Sequence, residues 1–175
     1  MMMKGRAWVV GNRVSVTDLV PARYDKAGMS RDWAECSRHV LEDKLPGATN
    51  LIQPGDILIG GTDFGVGHAH YYMTAIMGCV TAGFSALFAD SVNTLFLRAA
   101  VDAGVTVWAF PGLSEQVQQG DELAVDLESG IVKNLTSGST LQYDPVSPIV
   151  LEILRAGGSE PWALNSVRAA SPSDA

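Results

Sequence analysis

Short apolar runs alternate with helical patterns along the chain as far as residue 110. The apolar runs at residues 7–10, 56–59, 85–89 and 105–109 predict buried strands. The intervening patterns predict helices over residues 31–43, 69–82 and 92–103. Strands that alternate with helices through short links favour parallel pairing, with helices that cover the sheet.

Turn and cap residues set the ends of these predicted elements. Residues 13–30 read as a polar loop, and Ser30 is the predicted N-cap of the first long helix. Gly83 and Gly104 stand where the next two helices are predicted to end, because glycine readily takes the left-handed conformation of a helix C-terminus.

The pattern changes after residue 112. Residues 122–127, 131–135 and 140–143 predict short antiparallel strands, and residues 146–155 predict a closing helix. From residue 159 the chain is polar, which predicts a frayed end. We therefore predict an α/β domain over residues 1–158, with a mixed sheet flanked by helices, and a C-terminal tail over residues 159–175.

Composition narrows the class of protein. A chain of 175 residues that is 47% hydrophobic suits one domain with a real core. Its net charge of −7 argues against nucleic acid or an anionic membrane as a partner, although a local site can still bind an anionic substrate. No apolar run approaches the roughly 18 residues that span a bilayer, and residues 1–5 lack the apolar segment of a secretion signal. We therefore expect a cytoplasmic protein.

The two cysteines, Cys36 and Cys79, both fall in predicted helices. In a cytoplasmic chain they are expected to be reduced, unpaired and buried. Two thiols cannot supply the four thiolates of an Fe–S cubane. If such a cluster takes part in the function, another chain must hold it.

Residues 60–72 are the most informative stretch of the sequence. They read Gly-Gly-Thr-Asp-Phe-Gly-Val-Gly-His-Ala-His-Tyr-Tyr, between a predicted strand and a predicted helix. A turn of this kind directs backbone N–H groups outward at the positive end of a helix dipole, where carboxylates and phosphates bind. Gly65 and Gly67 permit positive φ and the close approach of a ligand.

His68 and His70 add two titratable side chains to this turn, and three interpretations are open. They are an acid/base or carboxylate-binding pair, or ligands of a metal, or polar residues that only cap the helix. The metal interpretation is weak, because Asp63 is the only carboxylate close in sequence that could join the two histidines as a ligand. We therefore predict no metal site in this chain.

The same stretch resembles the active-site loop of the small, swivelling subunit of isopropylmalate isomerases and other hydro-lyases of the aconitase superfamily. The family pattern is G-x-N-F-G-x-G-S-S-R-E, and the matching residues here are Gly61, Phe64, Gly65 and Gly67. The Ser-Ser-Arg-Glu part is absent, because His68, Ala69, His70 and Tyr71 stand in its place.

Three further segments carry the resemblance, in the order that the family has them. Residues 17–24 are similar to the family's T-D-x-I-x-P-A-R. Residues 83–104 are similar to G-I-x-A-V-I-A-x-S-F-A-R-I-F-x-R-N-A-x-x-x-G, and residues 120–130 to G-D-x-L-x-V-D-L-x-x-G. Four ordered matches identify the chain as a member of this family.

The resemblance implies the swivelling β/β/α domain of the aconitase superfamily. It also implies the small subunit of a two-chain hydro-lyase that acts on a hydroxy-carboxylic acid, with a [4Fe–4S] cluster in a separate large subunit. Two alternatives remain open: a non-catalytic regulatory or scaffold relative that kept the fold, and a stand-alone anion-binding domain.

The resemblance also implies a set of site residues. The family uses the Asp of its T-D segment in the active site with the Arg close by, which points to Thr17, Asp18 and Arg23. The Gly-rich loop implies substrate binding by Gly65, Val66, Gly67 and Ala69. We expect His70 and His68 to act with Asp18 in catalysis. Because the family's Ser base and Arg clamp are missing, the sequence predicts a substrate other than isopropylmalate.

Overall fold

A computed structural model describes residues 1–170, in which seven strands form one mixed sheet in the order β4-β3-β2-β1-β5-β6-β7. The strands are Met2–Gly11 (β1), Ile57–Gly60 (β2), Ala86–Ala89 (β3), Val107–Ala109 (β4), Glu122–Asp126 (β5), Ile131–Asn134 (β6) and Thr140–Gln142 (β7). Strands β1 to β4 pair in parallel, whereas β5, β6 and β7 pair antiparallel on the other side of β1. The predicted α/β fold with a mixed sheet is confirmed.

Strand β1 joins the two halves of the sheet and is longer than predicted. Its second half pairs in parallel with β2, with Ala7 opposite Ile57. Its first half pairs antiparallel with β5, with Met2 opposite Asp126. The short prediction over residues 7–10 is wrong at its start, because Lys4 and Arg6 interrupt the apolar run that marked the strand.

Seven α-helices flank the sheet within residues 1–170. They are Val16–Leu19 (α1), Asp25–Met29 (α2), Trp33–Ser37 (α3), Tyr72–Ala82 (α4), Thr94–Asp102 (α5), Pro148–Ala156 (α6) and Ser159–Ala170 (α7). A 3-10 turn over Ala69–Tyr71 leads directly into α4. Helices α4 and α5 lie where the sequence predicted them, and α4 ends at the predicted Gly83 cap.

The prediction for residues 13–43 is wrong in two places. The polar loop contains α1 and α2, since a capping box at Ser15 starts α1. The long helix over residues 31–43 is reduced to α3, which Asp32 caps instead of Ser30. It cannot extend to residue 43 because Leu41 has a φ of +59° and donates its N–H to the carbonyl of Leu19.

The predicted frayed tail is also wrong over the residues that the structure describes, because residues 159–170 form α7. The helix follows a Gly157-Gly158 turn with positive φ at both positions, and it packs against α6. Pro161 lies in its first turn, where a missing N–H removes no helical hydrogen bond. Residues 171–175 of the predicted tail lie outside the described residues, and the domain boundary at 158 stays a prediction.

Side chains alternate across the buried strands and feed two hydrophobic cores. Leu58 of β2 packs in the core that holds α4 and α5, whereas Ile57 and Ile59 pack in the core on the opposite face. This burial on both faces fixes the register of β2. The loops that follow β1, β2 and β3 therefore emerge together at the carboxyl edge of the parallel strands. No helix within residues 1–170 is both long and apolar enough to span a membrane.

Candidate active site

Three loops meet at the carboxyl edge of β1, β2 and β3, where α/β proteins commonly bind their ligands. Isolated parallel bridges tie the loops to one another: Ser15 pairs with Val66, and Phe64 pairs with Val92. The loop after β1 therefore lies against the Gly-rich loop on one side, and the loop after β3 lies against it on the other.

The Gly-rich loop takes the backbone conformation that its glycines predict. Gly65 has a φ of +76° and Gly67 a φ of +133°. A Cβ atom on Gly65 would lie 2.4 Å from the ring of Phe96, and one on Gly67 would lie 2.8 Å from Val16. Both the dihedral angles and the close packing therefore favour glycine at these two positions.

Backbone N–H groups divide this loop into two parts. Those of residues 61–65 are used inside the protein, with Gly11, Asn12, Ser91 and Val14 as acceptors. The N–H of Val66 faces the loop after β1, through the parallel bridge between Ser15 and Val66. Among residues 1–170, the N–H groups of Gly67, His68 and Ala69 donate to no acceptor. These three consecutive donors stand at the start of the helical segment, where an anion is bound most favourably.

His68 caps the 3-10 turn that precedes α4. Its Nδ1 accepts a hydrogen bond from the N–H of His70 at 3.2 Å. His68 therefore caps the turn through its Nδ1, as one of the three interpretations expected. Its Nε2 forms no hydrogen bond within the described residues, and the side chain is exposed, so the ring can still meet a ligand.

His70 lies two residues further along and contacts an acidic residue that the sequence did not single out. Its Nε2 is 2.9 Å from Oδ2 of Asp25, and the His70 side chain is 37% exposed. The rings of His68 and Tyr71 lie edge-on to it, with centroids 6.2 Å and 5.0 Å away. Within residues 1–170, no cluster of three or more His, Cys, Asp or Glu side chains is arranged to hold a metal ion.

Thr17 and Asp18 lie in α1, beside the Gly-rich loop. The N–H of Val16 donates to the carbonyl of Val66 at 2.9 Å, which holds α1 against the loop. Oδ2 of Asp18 accepts from both the N–H and the Oγ of Ser15 at 2.7 Å, which completes a capping box. Asp18 therefore has a structural role, and its role toward a substrate stays a prediction.

Arg23 forms ion pairs with two acidic residues outside the Gly-rich loop. Its guanidinium donates to both carboxylate oxygens of Asp43 at 2.7 Å and 2.8 Å, and to Glu42 at 2.8 Å. These hydrogen bonds raise the pKa of Arg23 above its ordinary value, and the bond to Asp43 has the largest effect. No hydrogen bond or ion pair within residues 1–170 joins Arg23 to residues 60–72, so its role toward a substrate stays a prediction.

Asn93 and Tyr72 support the site and were missed in the sequence. The Asn93 side chain caps α5, accepting from the N–H of Leu95 and of Phe96 at 3.1 Å. The Tyr72 hydroxyl lies 3.2 Å from Oδ1 of Asn93 and 3.3 Å from the carbonyl of Gly67. Asn before a helix is a common cap signal, and it could have identified Asn93.

Comparison with known proteins gives a consistent result. No protein-family model matches the chain. The chain is 37% identical over 161 residues to the isopropylmalate/citramalate isomerase small subunit of Methanocaldococcus jannaschii, and the alignment covers 92% of this chain and 93% of that protein. It is 35% identical over 157 residues to the 3-isopropylmalate dehydratase small subunit 1 of Thermotoga maritima, with 90% and 92% of the two chains covered.

The fold agrees with these sequence matches. A crystal structure of 3-isopropylmalate dehydratase from Methanocaldococcus jannaschii superposes with a TM-score of 0.85 over 97% of each chain, at 23% sequence identity. That superposition confirms the fold, and the sequence matches extend over nearly the whole chain. The chain therefore belongs to the family of 3-isopropylmalate dehydratase small subunits.

Proposed function

We propose that this chain is the small subunit of a two-chain hydro-lyase, which adds water to a hydroxy-carboxylic acid or removes water from it. The observation that carries the proposal is the row of three free N–H donors at residues 67–69, beside the side chains of His68 and His70, on the scaffold of this family. Family membership does not favour the alternative of a non-catalytic relative.

A large subunit is proposed to hold the [4Fe–4S] cluster. Cys36 and Cys79 of this chain are both fully buried. Burial raises the pKa of the Cys79 thiol to about 12 and also raises the pKa of Cys36, so neither is available as an exposed thiolate ligand. When bound in the complex, a cluster supplies a Lewis acid for the leaving hydroxyl.

The exposure of the loop supports the need for a second chain. Residues 67–70 are all exposed in this chain. A dehydration site works best when bulk water is excluded, since hydrogen bonds to a bound anion are stronger there. A large subunit that covers this edge of the sheet would provide that enclosure and bring the substrate to the loop.

Each part of the loop has a proposed task. The N–H groups of residues 67–69 bind a substrate carboxylate through charge-assisted hydrogen bonds. His70 moves a proton to or from the substrate, or binds a second anionic group as imidazolium. Thr17 and Asp18 lie beside the same loop, in α1. Because a histidine cannot form the two-pronged contact of an arginine, the substrate is proposed to differ from isopropylmalate at the group that the family's Arg binds.

The test is kcat/KM against pH for wild type, His68→Ala and His70→Ala in the assembled complex. We expect His70→Ala to lose activity by about 100-fold or more, the usual contribution of a general acid or base. A general base becomes more effective as pH rises through its folded-state pKa, whereas a contact that requires imidazolium weakens over the same range. If both variants keep the wild-type profile and magnitude, the histidines only cap the loop.

A further inference from the structure

Asp25 and His70 form a contact between two loops. Asp25 is the first residue of α2, in the segment after β1, and His70 belongs to the loop after β2, 45 residues later. Their side chains meet at 2.9 Å between Oδ2 and Nε2. The other carboxylate oxygen, Oδ1, is buried and has no hydrogen-bond partner within the described residues. The imidazole is therefore the group that this carboxylate engages.

The contact determines how the imidazole can work. A carboxylate oxygen accepts a hydrogen bond, so the Nε2 of His70 must carry its hydrogen toward Asp25. In the neutral ring the lone pair then lies on Nδ1, which forms no hydrogen bond within residues 1–170. A carboxylate that orients a histidine in this way fixes both its tautomer and its direction.

Other charged groups lie further from the ring. His68 and Tyr71 approach its edge without a hydrogen bond to the imidazole. His70 also borders a cavity of about 630 Å³, whose lining includes the charged residues Arg31, Asp102 and Glu160. None of these three residues forms an ion pair with His70. Within the described chain, Asp25 is thus the charged group that bonds directly to His70.

We infer that Asp25 is the positioning residue of His70, which keeps the hydrogen on Nε2 and presents Nδ1 to the reacting substrate. The part of this inference that concerns the reaction rests on the proposed function. The part that concerns the tautomer does not, because it is a property of this chain alone. The two parts can therefore be tested separately.

The first test is nitrogen-15 NMR of the isolated, labelled chain at a pH where the imidazole is neutral. Wild type is expected to show His70 as one tautomer with its hydrogen on Nε2, and Asp25→Ala to show the averaged shifts of two tautomers. Asp102→Asn, which changes a carboxylate of the same cavity, should match wild type. An identical tautomer mixture in wild type and Asp25→Ala would overturn the inference, whatever the activity of the complex.

The second test is a double-mutant cycle on kcat in the assembled complex. Asp25→Ala is expected to lower kcat by about 10–100-fold with a smaller change in KM, the scale typical of residues that orient an active group. Asp25→Glu should recover part of the loss. In a His70→Ala background, Asp25→Ala should have no further effect, because the residue acts through His70. Equal losses with and without His70 would overturn the positioning role.

Discussion

Gly65 is the residue on which the conformation of the loop depends most clearly. In Gly65→Ala the new Cβ would meet Phe96 at 2.4 Å while the backbone keeps a φ of +76°. We expect the free energy of unfolding to fall by about 2–4 kcal/mol, from overpacking together with left-handed strain. Denaturant unfolding measures this loss.

Gly112→Ala is the matched control for that substitution. Gly112 has a φ of +78°, and an added Cβ would meet nothing within 4 Å. It should lose about 1 kcal/mol, from backbone strain alone. If the two variants lose the same stability, close packing against Phe96 is not what requires glycine in the loop.

Residue identity predicted the backbone conformation of the Gly-rich loop, whereas contacts between distant residues could not be predicted from the sequence. The spacing of Gly65 and Gly67 predicted a left-handed turn, which the structure has. Which N–H groups remain free could not be predicted, because the acceptors for residues 61–65 lie on other loops. Asp25 was missed for the same reason, since its contact with His70 spans 45 residues of sequence.

At the scale of elements, Asp56 joins β1 to the start of β2. Burial opposes its ionisation, but hydrogen bonds from Arg6, the N–H of Gln53 and the Trp8 indole outweigh that effect and hold the pKa of Asp56 below its ordinary value of 3.8. A depressed folded-state pKa gives stability that is present above the unfolded-state pKa. That stability is lost as pH falls through the folded-state pKa.

Asp56→Asn should therefore destabilise the protein by about 2 kcal/mol at neutral pH, since it removes a charge that accepts three hydrogen bonds. The difference from wild type should shrink as the pH falls below about 4, the ordinary pKa of an Asp carboxyl, because the unfolded chain takes up a proton there before folded Asp56 does. Thermal unfolding at several pH values measures it, with the exposed Asp144→Asn as control. A difference that does not change with pH would contradict this role.

Elements with a strong local signal were predicted well. Helices α4 and α5 have apolar residues and glycines at their ends, and β5 and β6 have a clear turn between them. Helices α1 and α2 were missed because they are only 4 and 5 residues long. Helices this short depend on tertiary packing, such as the burial of Val16 and Leu19, for their stability.

At the scale of the whole molecule, the isolated chain should be colourless. Its two cysteines are buried, so anaerobic reconstitution with iron and sulfide should give no stoichiometric cluster absorption. The control is the Cys36→Ser, Cys79→Ser double variant after the same treatment, because its absorbance reports iron and sulfide that are bound non-specifically. A stable brown cluster in wild type that the double variant lacks would contradict the assignment of the cluster to another chain.

Residues 60–72 are proposed to complete the active site of a two-chain hydro-lyase. The most direct test of this claim is the turnover of hydroxy-carboxylic acids by this chain assembled with a cluster-bearing large subunit, followed by the absorbance of the unsaturated product. Isopropylmalate and citramalate belong in the panel of substrates, because the relatives' names include them. We predict turnover of at least one acid by the complex, none by either chain alone, and a large loss in His70→Ala. An assembled complex with an intact cluster that turns over no hydroxy acid, or that is unaffected by His70→Ala, would contradict the claim.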